Sequence, residues 1–397
     1  MRQIAAESRV SIRWLSAAAY AGMFVFGIVM ALLGAVLPIL AQHVRFDLAR
    51  AGDLFLIMNG GMLAATVAVG PVIDRFGHKW PTIIAPLFVA GALGLMPPAS
   101  SFKGLLAAAL LLGIGGGTLN QVTNTLIADL HDDVHAKNSA LNILGVFLGF
   151  GALFIPFTIG TALRTLGFGR IVFLAMGLSL APLVLSLPLA FPAPRQREGV
   201  SGQTVLSLLR QSLVLTFSLL LFFESGNEFI LGGYLTTYFT RESGLTMQAA
   251  AYLLAAYWAS LMLGRVVLSR IMLRISGGIL VRGSALGVAV SMALLLAGRS
   301  SETRLLCVML LGFSIAAIFP TVLGLAGARY PTHAGTVFSI LIGIALIGGL
   351  TMPWLLGRVA GNVGVEKALS LVVVNALAIF LLQWAAERML KGQRNAT

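Results

Sequence analysis

Long apolar runs separated by short polar segments extend through the whole chain, and they constrain its fold more than any other feature. Twelve such runs each approach the length of about 20 residues that an α-helix needs to cross a bilayer. Only 10% of the residues are charged and 58% are hydrophobic, which leaves too little ionisable surface for a soluble protein of this length. We therefore expect an all-α integral membrane protein, and soluble enzymes, fibres and disordered chains are excluded.

The apolar runs predict twelve transmembrane helices. The first run is too long for the core of a signal peptide, so it is kept as the first span. The predicted spans lie near residues 14–40, 49–73, 80–98, 103–127, 138–163, 169–190, 212–238, 247–273, 279–297, 303–328, 334–357 and 364–386.

A segment rich in Pro and Arg between the sixth and seventh spans divides the chain into two halves of six helices each. The division predicts an amino-terminal bundle over 1–190, a cytoplasmic linker over 191–211 and a carboxy-terminal bundle over 212–397. A constant shift also superposes glycines and prolines of the two halves, which indicates the internal repeat found in many transporters. The matching pairs are Gly151 with Gly348, Pro156 with Pro353, and Gly160 with Gly357.

The formal net charge of +13 comes from Lys and Arg residues that stand in ones to threes between the apolar runs. In that arrangement they indicate membrane topology, and binding of nucleic acid is not expected. Their modest excess in alternate loops predicts that both termini lie in the cytoplasm and that the chain crosses a cell membrane, here taken as a bacterial inner membrane. The single cysteine, Cys307, lies inside an apolar run, so no disulfide framework or thiolate–metal chemistry is expected.

The loop between the second and third spans carries the most specific motif. It reads Gly-Pro-Val-Ile-Asp-Arg-Phe-Gly-His-Lys from Gly70 to Lys79 and resembles the signature loop of the major facilitator superfamily, G-x-x-x-D-R-x-G-x-[KR]. The resemblance implies that Gly70, Asp74, Arg75 and Gly77 form a cytoplasmic gate, with Asp74 beside a cation or a helix N-terminus. The alternative is a solvated turn whose charges only fix topology. The matching loop of the second half lacks the aspartate, so any gate is asymmetric.

Further stretches in both halves resemble the fucose permease branch of that superfamily, whose members import sugars with a proton. The resemblance implies a major facilitator fold, with twelve transmembrane helices in two pseudo-symmetric six-helix bundles that rock about a central site. The first span carries no carboxylate, so the proton-carrying residues of fucose permease are not transferred to this chain. The matching residues are Gly115–Gly117, Asn120, Asn124, Leu141, Asn142, Gly226–Glu228, Gly232–Tyr234, Tyr238 and Phe319–Thr321.

Ionisable side chains inside a span are costly in hydrocarbon and mark functional sites. Glu224, Asn227 and Glu228 lie in the seventh span, and helical periodicity is expected to place all three on one face, directed at the bundle interior or a cavity. Two carboxylates four residues apart repel each other when both are ionised, so one of them is expected to be protonated. We predict that Arg265 pairs with Glu224 while Glu228 titrates or binds the coupling ion. The alternative is a static ion pair that fixes the seventh and eighth spans.

Uncharged amides in the first half suit a neutral ligand, because amide groups both donate and accept hydrogen bonds, as sugar hydroxyls do. An aromatic ring in the eighth span adds a flat apolar face on which a sugar ring can stack. The alternatives are interhelical hydrogen bonding for the amides and plain packing for the ring. The predicted substrate-binding residues are Asn120, Gln121, Asn124, Asn142, Asn227 and Trp258.

Other candidates point to structural uses. Tyr234 and Tyr238 either close over a ligand or belong to the aromatic belt at the membrane interface. His131 and His135 have a spacing that could bind metal but lie in a short loop that is expected to be solvated, so no metal site is predicted. Asp53 stands at the start of the second span, where a carboxylate is favourable. The sequence offers no nucleophile-and-base pair and no phosphate-binding loop, so we expect neither an enzyme nor an ATP-driven pump, and no cofactor.

Together these features predict a secondary active transporter that works by alternating access and imports a neutral sugar or polyol with H⁺ or Na⁺. The expected partners are the sugar-like solute, the coupling ion and the lipid bilayer, and the carrier is expected to be a monomer. The alternative is a proton-coupled efflux carrier for amphipathic drugs, which the Phe-rich interior and the membrane carboxylates favour. A third class is a sensor that binds a solute on the same fold without moving it.

Overall fold

The computed structural model describes residues 2–131, 133–193, 202–271, 274–298 and 300–394. Helices account for nearly all of this part of the chain, and no strand occurs among the described residues. The predicted all-α membrane fold is confirmed. The expectations that involve residues 194–201 of the linker, Asp132 and the side chain of His135 lie outside the described residues.

Fifteen α-helices and one short 3₁₀ helix make up the described chain. They are α1 (Arg2–Val44), α2 (Leu48–Phe76), α3 (Lys79–Leu95), α4 (Phe102–Leu130), α5 (Val134–Ser179), α6 (Ala181–Ser186), α7 (Gly202–Leu209), α8 (Ser212–Arg241), α9 (Met247–Ile271), α10 (Gly277–Ala297), α11 (Ser301–Ile315), α12 (Ile318–Arg329), the 3₁₀ helix Pro331–His333, α13 (Ala334–Val363), α14 (Val365–Ala368) and α15 (Ser370–Arg394).

Ten helical stretches of the described chain are long and apolar enough to cross a membrane, and α3 is a shorter apolar helix. One of the ten contains two predicted spans, because α5 breaks at Gly167, which has φ 74° and ψ 162°. Glycine adopts this backbone conformation readily since it has no Cβ. The break falls between the fifth and sixth predicted spans, so every predicted span has a helical counterpart.

Contacts within the chain divide it into two compact units. Unit 1 contains residues 1–46, 54–197 and 247–255, and unit 2 contains residues 47–53, 198–246 and 256–397. Two short segments, the first turns of α2 and of α9, therefore belong to the unit opposite to the predicted half. The boundaries predicted from sequence at 190 and 212 stay a prediction.

Each unit is held together by a helix crossing at which backbones touch. In unit 1, a Cβ on Gly151 of α5 would collide with the carbonyl oxygen of Phe24 on α1. In unit 2, a Cβ on Gly348 of α13 would collide in the same way with the carbonyl oxygen of Phe222 on α8. Small residues allow this approach in membrane helices. The glycines that the sequence shift superposes thus make equivalent contacts in their own units.

Candidate functional site

A buried carboxyl group lies near the middle of α8. Glu224 is only 1% exposed, and its Oε2 atom has no hydrogen-bond partner. An ionised carboxylate in such surroundings has lost its hydration, and its Oε2 atom has no hydrogen bond in exchange. The site therefore favours the neutral, protonated acid, which carries no net charge into the unit.

The second acid of α8 is paired with the arginine of α9. The Arg265 Nη2 atom lies 3.6 Å from Glu228 Oε1, and the two side chains are 33% and 13% exposed. The predicted pairing of Arg265 with Glu224 is therefore wrong, because the arginine neutralises Glu228 instead. Glu224 lies one helical turn earlier and is left as the acid without an ion-pair partner in the described residues.

Asn227 of α8 is held by hydrogen bonds to α15. Its Nδ2 group donates to the Val372 carbonyl oxygen at 3.2 Å, and its Oδ1 atom accepts from Asn375 Nδ2 at 2.9 Å. Both partners lie on α15, and Asn227 is fully buried. Asn227 is thus directed at the interior of unit 2, and its place on one common face with the two acids stays a prediction. Its predicted role in substrate binding stays a prediction that these contacts do not favour.

Two aromatic residues of α9, Tyr257 and Trp258, are buried in unit 2. Tyr257 and Trp258 are at most 1% exposed, and their ring centroids are 5.3 Å apart in an edge-on arrangement. The Tyr257 hydroxyl and the Trp258 indole nitrogen have no hydrogen-bond partner. Trp258 packs against Gly232, where an added Cβ would lie 3.0 Å from the indole ring. The predicted stacking surface of Trp258 is therefore covered in this structure.

The amides of the first half lie in unit 1. Asn124 Nδ2 donates to the backbone oxygen of Asn120 at 2.8 Å and to its Oδ1 atom at 3.1 Å. Both residues and Gln121 are half-buried, and Asn142 on α5 is exposed. Asn120 and Asn124 thus form a pair on one face of α4, as predicted, and their remaining donors and acceptors are available to a neutral ligand.

A family model described as the Major Facilitator Superfamily matches residues 19–353 of this chain. The chain belongs to this superfamily. It is accordingly a multi-pass membrane transporter and not an enzyme, as the sequence predicted.

Curated relatives in this superfamily cover most of the chain. The fosmidomycin resistance protein of Escherichia coli strain K12 is 25% identical over 364 residues, which are 89% of this chain and 89% of that protein. The putative glucose/galactose transporter of Helicobacter pylori strain J99 is 26% identical over 344 residues, which are 81% of this chain and 84% of that protein.

Solved structures share the fold of this superfamily member. The nucleoside transporter NupG matches with a TM-score of 0.78 at 14% identity, covering 95% of this chain and 99% of that one. The fucose:proton symporter of E. coli matches with a TM-score of 0.65 at 19% identity, again covering 95% and 99%. At these identities the similarity shows the fold alone.

The signature stretch from Gly70 to Lys79 contains the last turns of α2 and the residues that end this helix. Gly77 has φ 77° and its N–H donates to the Ile73 carbonyl oxygen at 2.8 Å, so the glycine caps the helix in the left-handed region. Gly70 has open space around it. Arg75 lies over the Phe76 ring at 5.4 Å.

The predicted gate residue Asp74 is half-buried, and no ion pair joins it to a described residue of the chain. The loop is fixed through two neighbours that sequence reasoning missed. His78 is 1% exposed and its Nε2 atom lies 3.5 Å from Asp129 Oδ2 on α4. Lys79 Nζ donates to the Leu189 carbonyl oxygen at 3.2 Å. The gate role of Gly70, Asp74, Arg75 and Gly77 stays a prediction.

The two tyrosines of α8 are buried rather than exposed as an aromatic belt at the membrane interface, and their closing over a ligand stays a prediction. Tyr234 and Tyr238 are at most 3% exposed. Their hydroxyls donate to the backbone oxygens of Pro353 at 3.1 Å and Leu295 at 3.4 Å. Buried tyrosines with satisfied hydroxyls pin helices together, so both residues pack the interior of unit 2.

Asp53 does not act at the helix start, where the sequence places it. The carboxylate that caps α2 is Asp47, whose Oδ1 accepts from the Arg50 N–H at 2.8 Å. Asp53 Oδ1 instead accepts from Arg358 Nη2 at 2.8 Å and from Trp354 Nε1 at 3.1 Å on α13. Asp53 is thus structural, as expected, but through side chains rather than through the helix N-terminus.

His131, one of the two histidines whose spacing could bind metal, contacts the backbone of its own helix. Its Nδ1 atom lies 3.1 Å from the Ile127 carbonyl oxygen.

The residues that sequence reasoning missed, Asn375 and Tyr257, both lie in predicted spans. Their signal was present, since each is a polar group within an apolar run, and each contacts or adjoins the acid-bearing face of α8.

Proposed function

We propose that this carrier imports a neutral sugar or polyol together with a proton, by alternating access. The observation that carries the proposal is the buried, partnerless carboxyl oxygen of Glu224. The relative named as a putative glucose/galactose transporter supports the choice of a sugar. The amide pair of Asn120 and Asn124 supplies neutral hydrogen-bonding groups suited to such a solute.

Glu224 is suited to bind and release one proton in each transport cycle. While the acid is buried, the neutral form is favoured because the carboxyl group has lost its hydration and forms no ion pair with a described residue. When the site opens to water, hydration favours the ionised form and the proton leaves. The Arg265–Glu228 pair cancels its own charge, so the proton on Glu224 decides the net charge of this part of unit 2.

The proposed topology follows the predicted one. Both termini lie in the cytoplasm, the membrane is a bacterial inner membrane, and the carrier works as a monomer. Na⁺ is the alternative coupling ion, since carboxylate oxygens also bind hard cations.

Transport into proteoliposomes tests the coupling. Purified carrier is reconstituted, and uptake of tritiated glucose is followed with an imposed gradient that is acidic outside, or with an inward Na⁺ gradient. We expect the wild type to accumulate glucose with the pH gradient. Glu224→Gln is expected to abolish accumulation and to retain counterflow between equal concentrations, because the neutral amide mimics the protonated acid permanently.

The matched control is Glu242→Gln, which removes an exposed carboxylate at the end of the same helix. This variant is expected to accumulate glucose like the wild type. Retained counterflow shows that Glu224→Gln still folds. Equal accumulation by Glu224→Gln and the wild type at every pH contradicts the proposal, and accumulation only with Na⁺ replaces the proton by that ion.

Efflux of an amphipathic solute is the second candidate, favoured by the relative named as a fosmidomycin resistance protein. Everted membrane vesicles energised by respiration test it, with tetraphenylphosphonium as the probe. Carrier-dependent uptake of this cation into the vesicles, without glucose accumulation in proteoliposomes, selects efflux over import.

A further inference from the structure

One face of α15 is left uncovered by the rest of the chain, and its residues change in chemistry from one end to the other. The helix packs against α8 and α10. Residues of the uncovered face recur at alternating spacings of three and four, which places them in one row along the helix. We call this the outer row of α15, and its residues are Val374, Leu377, Leu381, Trp384, Arg388 and Lys391.

The first part of the outer row is an aliphatic surface. Val374, Leu377 and Leu381 are 59%, 46% and 58% exposed, and no polar side chain is exposed between Val374 and Trp384. A path for a polar solute needs hydrogen-bonding groups, which this stretch does not offer. In a chain that spans a membrane, an uncovered aliphatic row is solvated by lipid acyl chains, because its exposure to water would cost free energy in proportion to its area.

The outer row ends in one aromatic residue and two cations. Trp384 is 41% exposed, and Arg388 and Lys391 follow at exposed positions one and two turns later. Tryptophan and long cationic side chains at the end of an apolar stretch are typical of the level of the lipid headgroups. The outer row therefore extends from the acyl chains to the headgroups of one leaflet.

The Arg388 side chain is held in place by the tryptophan. Its guanidinium carbon lies 3.6 Å from the centroid of the Trp384 ring, which is a close cation–π contact. No ion pair joins Arg388 or Lys391 to a described residue of the chain. Arg388 is thus ordered before an anion arrives, which lowers the entropic cost of binding one.

Acidic side chains do not neutralise this end of the outer row. Glu387 Oε1 lies 3.2 Å from Arg282 Nε on α10, so the charge of this acid is already paired. Thr216 Oγ1 contacts Met389 Sδ at 3.9 Å, which places the start of α8 at the same level. The first turns of α8 and α10 contain no acidic residue. The described residues around the end of the outer row therefore carry a net positive charge.

We infer that the outer row of α15 binds an anionic phospholipid, with its phosphate at Arg388 and Lys391 and its acyl chains along Leu381 and Leu377. Side chains three residues apart on a helix are neighbours, so both cations can contact one phosphate group. Arginine also offers paired N–H donors that match phosphate oxygens. A zwitterionic lipid carries its own cation and gains less from this end of the row. The inference does not depend on which solute the carrier moves.

Thermal unfolding in defined lipid tests the site without requiring transport. The full chain in dodecyl maltoside is titrated with phosphatidylglycerol or with phosphatidylcholine of the same acyl chains, and the unfolding midpoint is measured, since a ligand of the folded state raises it. We expect phosphatidylglycerol to reach half-maximal stabilisation of the wild type at a concentration about tenfold or more below that of phosphatidylcholine. The double variant Arg388→Gln, Lys391→Gln is expected to reduce this ratio to about twofold or less.

The double variant Arg241→Gln, Lys367→Gln is the matched control. It also removes two exposed cations, but Arg241 ends α8 and Lys367 lies just before α15 begins, at the opposite end of these helices. This variant is expected to keep the wild-type ratio. Equal curves of the wild type with the two lipids, an unchanged ratio in Arg388→Gln, Lys391→Gln, or an equal loss in the control overturns the inference.

Native mass spectrometry of the wild type gives a readout that needs no variant. Carrier incubated with equimolar phosphatidylglycerol and phosphatidylcholine is expected to retain phosphatidylglycerol in preference, and equal retention overturns the inference.

The tryptophan gives a further readout. Trp384→Ala is expected to raise the half-maximal concentration of phosphatidylglycerol by about threefold, the size of an exposed cation–π contact, and Trp384→Phe to raise it less. A wild type that is a dimer without lipid and a monomer after Trp384→Ala assigns the outer row to a second copy of the chain and overturns the inference.

Discussion

The first helices of the two units, α1 and α8, make the same backbone contact with different chemistry beside it. Phe24 of α1 meets Gly151, and Phe222 of α8 meets Gly348. The contact therefore belongs to the repeated architecture that both units share. Residues around the contact can therefore differ between the two units without removing it.

The difference begins two residues beyond the shared contact. In α1 the positions after Phe24 hold Phe26, which is buried, and Met30, which is half-buried. In α8 the equivalent positions hold Glu224 and Glu228 with the same two degrees of burial. Each acid therefore occupies a place that an apolar side chain fills in the other unit. The fold does not need the carboxylates, which points to a use in transport.

The largest effect is expected from substitutions that test the shared contact. Gly151→Ala and Gly348→Ala each push a methyl group into a backbone oxygen, and overpacking of this kind costs about 1–3 kcal/mol. Both variants should lower the thermal midpoint in detergent by similar amounts. Very unequal shifts would break the equivalence of α1 and α8.

Two other glycines of the same helices are the control for this prediction. Gly145 of α5 and Gly343 of α13 have nothing within 4 Å of an added Cβ. Alanine is the better helix former, so Gly145→Ala and Gly343→Ala should be neutral or stabilising by up to about 1 kcal/mol. Destabilisation by these two variants would remove the steric explanation.

The next effect concerns an amide pair that only unit 2 contains. Asn227 bonds to Asn375, whereas the position in α1 equivalent to Asn227 is the buried Val29. Asn375→Ala leaves the Asn227 oxygen without its partner and should cost about 1 kcal/mol, the usual size for a polar contact between membrane helices. The double variant Asn227→Val, Asn375→Leu should recover part of that loss in thermal melts, and a further loss would contradict this account.

A double-mutant cycle sharpens the comparison at the ion pair. Glu228→Met gives α8 the residue type found at the same place in α1, and Arg265→Leu removes the partner. Each single variant leaves one charge unpaired, so we expect a coupling free energy of about 1 kcal/mol, limited by the exposure of the arginine. Chemical denaturation of the four proteins measures it. Strictly additive effects would show that the pair is not energetically coupled.

The smallest effect is expected at Asp53, which joins Arg358 and Trp354. Asp53→Asn keeps the shape but removes the charge, and it should cost roughly 0.5 kcal/mol because the pair is partly exposed. The difference from the wild type should shrink as NaCl is raised, since salt screens exposed charges. A difference that does not change with salt would assign the effect to the hydrogen bonds alone.

The sequence predicted the fold because bilayer crossing depends on run length and apolarity, which are properties of each segment by itself. The break between the fifth and sixth spans was also predictable, since residues 164–168 interrupt the apolar pattern and Gly167 supplies the turn. The helix α7 inside the linker was not predicted, because only eight residues form it and short helices leave little periodic signal.

The candidate site was only partly predictable. The sequence located Glu224, Glu228 and Arg265 but assigned the arginine to the wrong acid. Helical periodicity fixes which residues share a face, whereas the partner of Arg265 depends on the axial offset between α8 and α9. Asn227 shows the same limit, because its contact with Asn375 depends on how α15 packs against α8.

The glycine crossings have a mechanical consequence. Helices whose backbones touch at Gly151 and at Gly348 leave no side-chain layer that could slide or repack during the transport cycle. The pairs α1–α5 and α8–α13 should then each move as a rigid body and keep their internal geometry during the transport cycle. Bending would be concentrated at joints such as Gly167 and Gly364, where the chain already turns through positive φ.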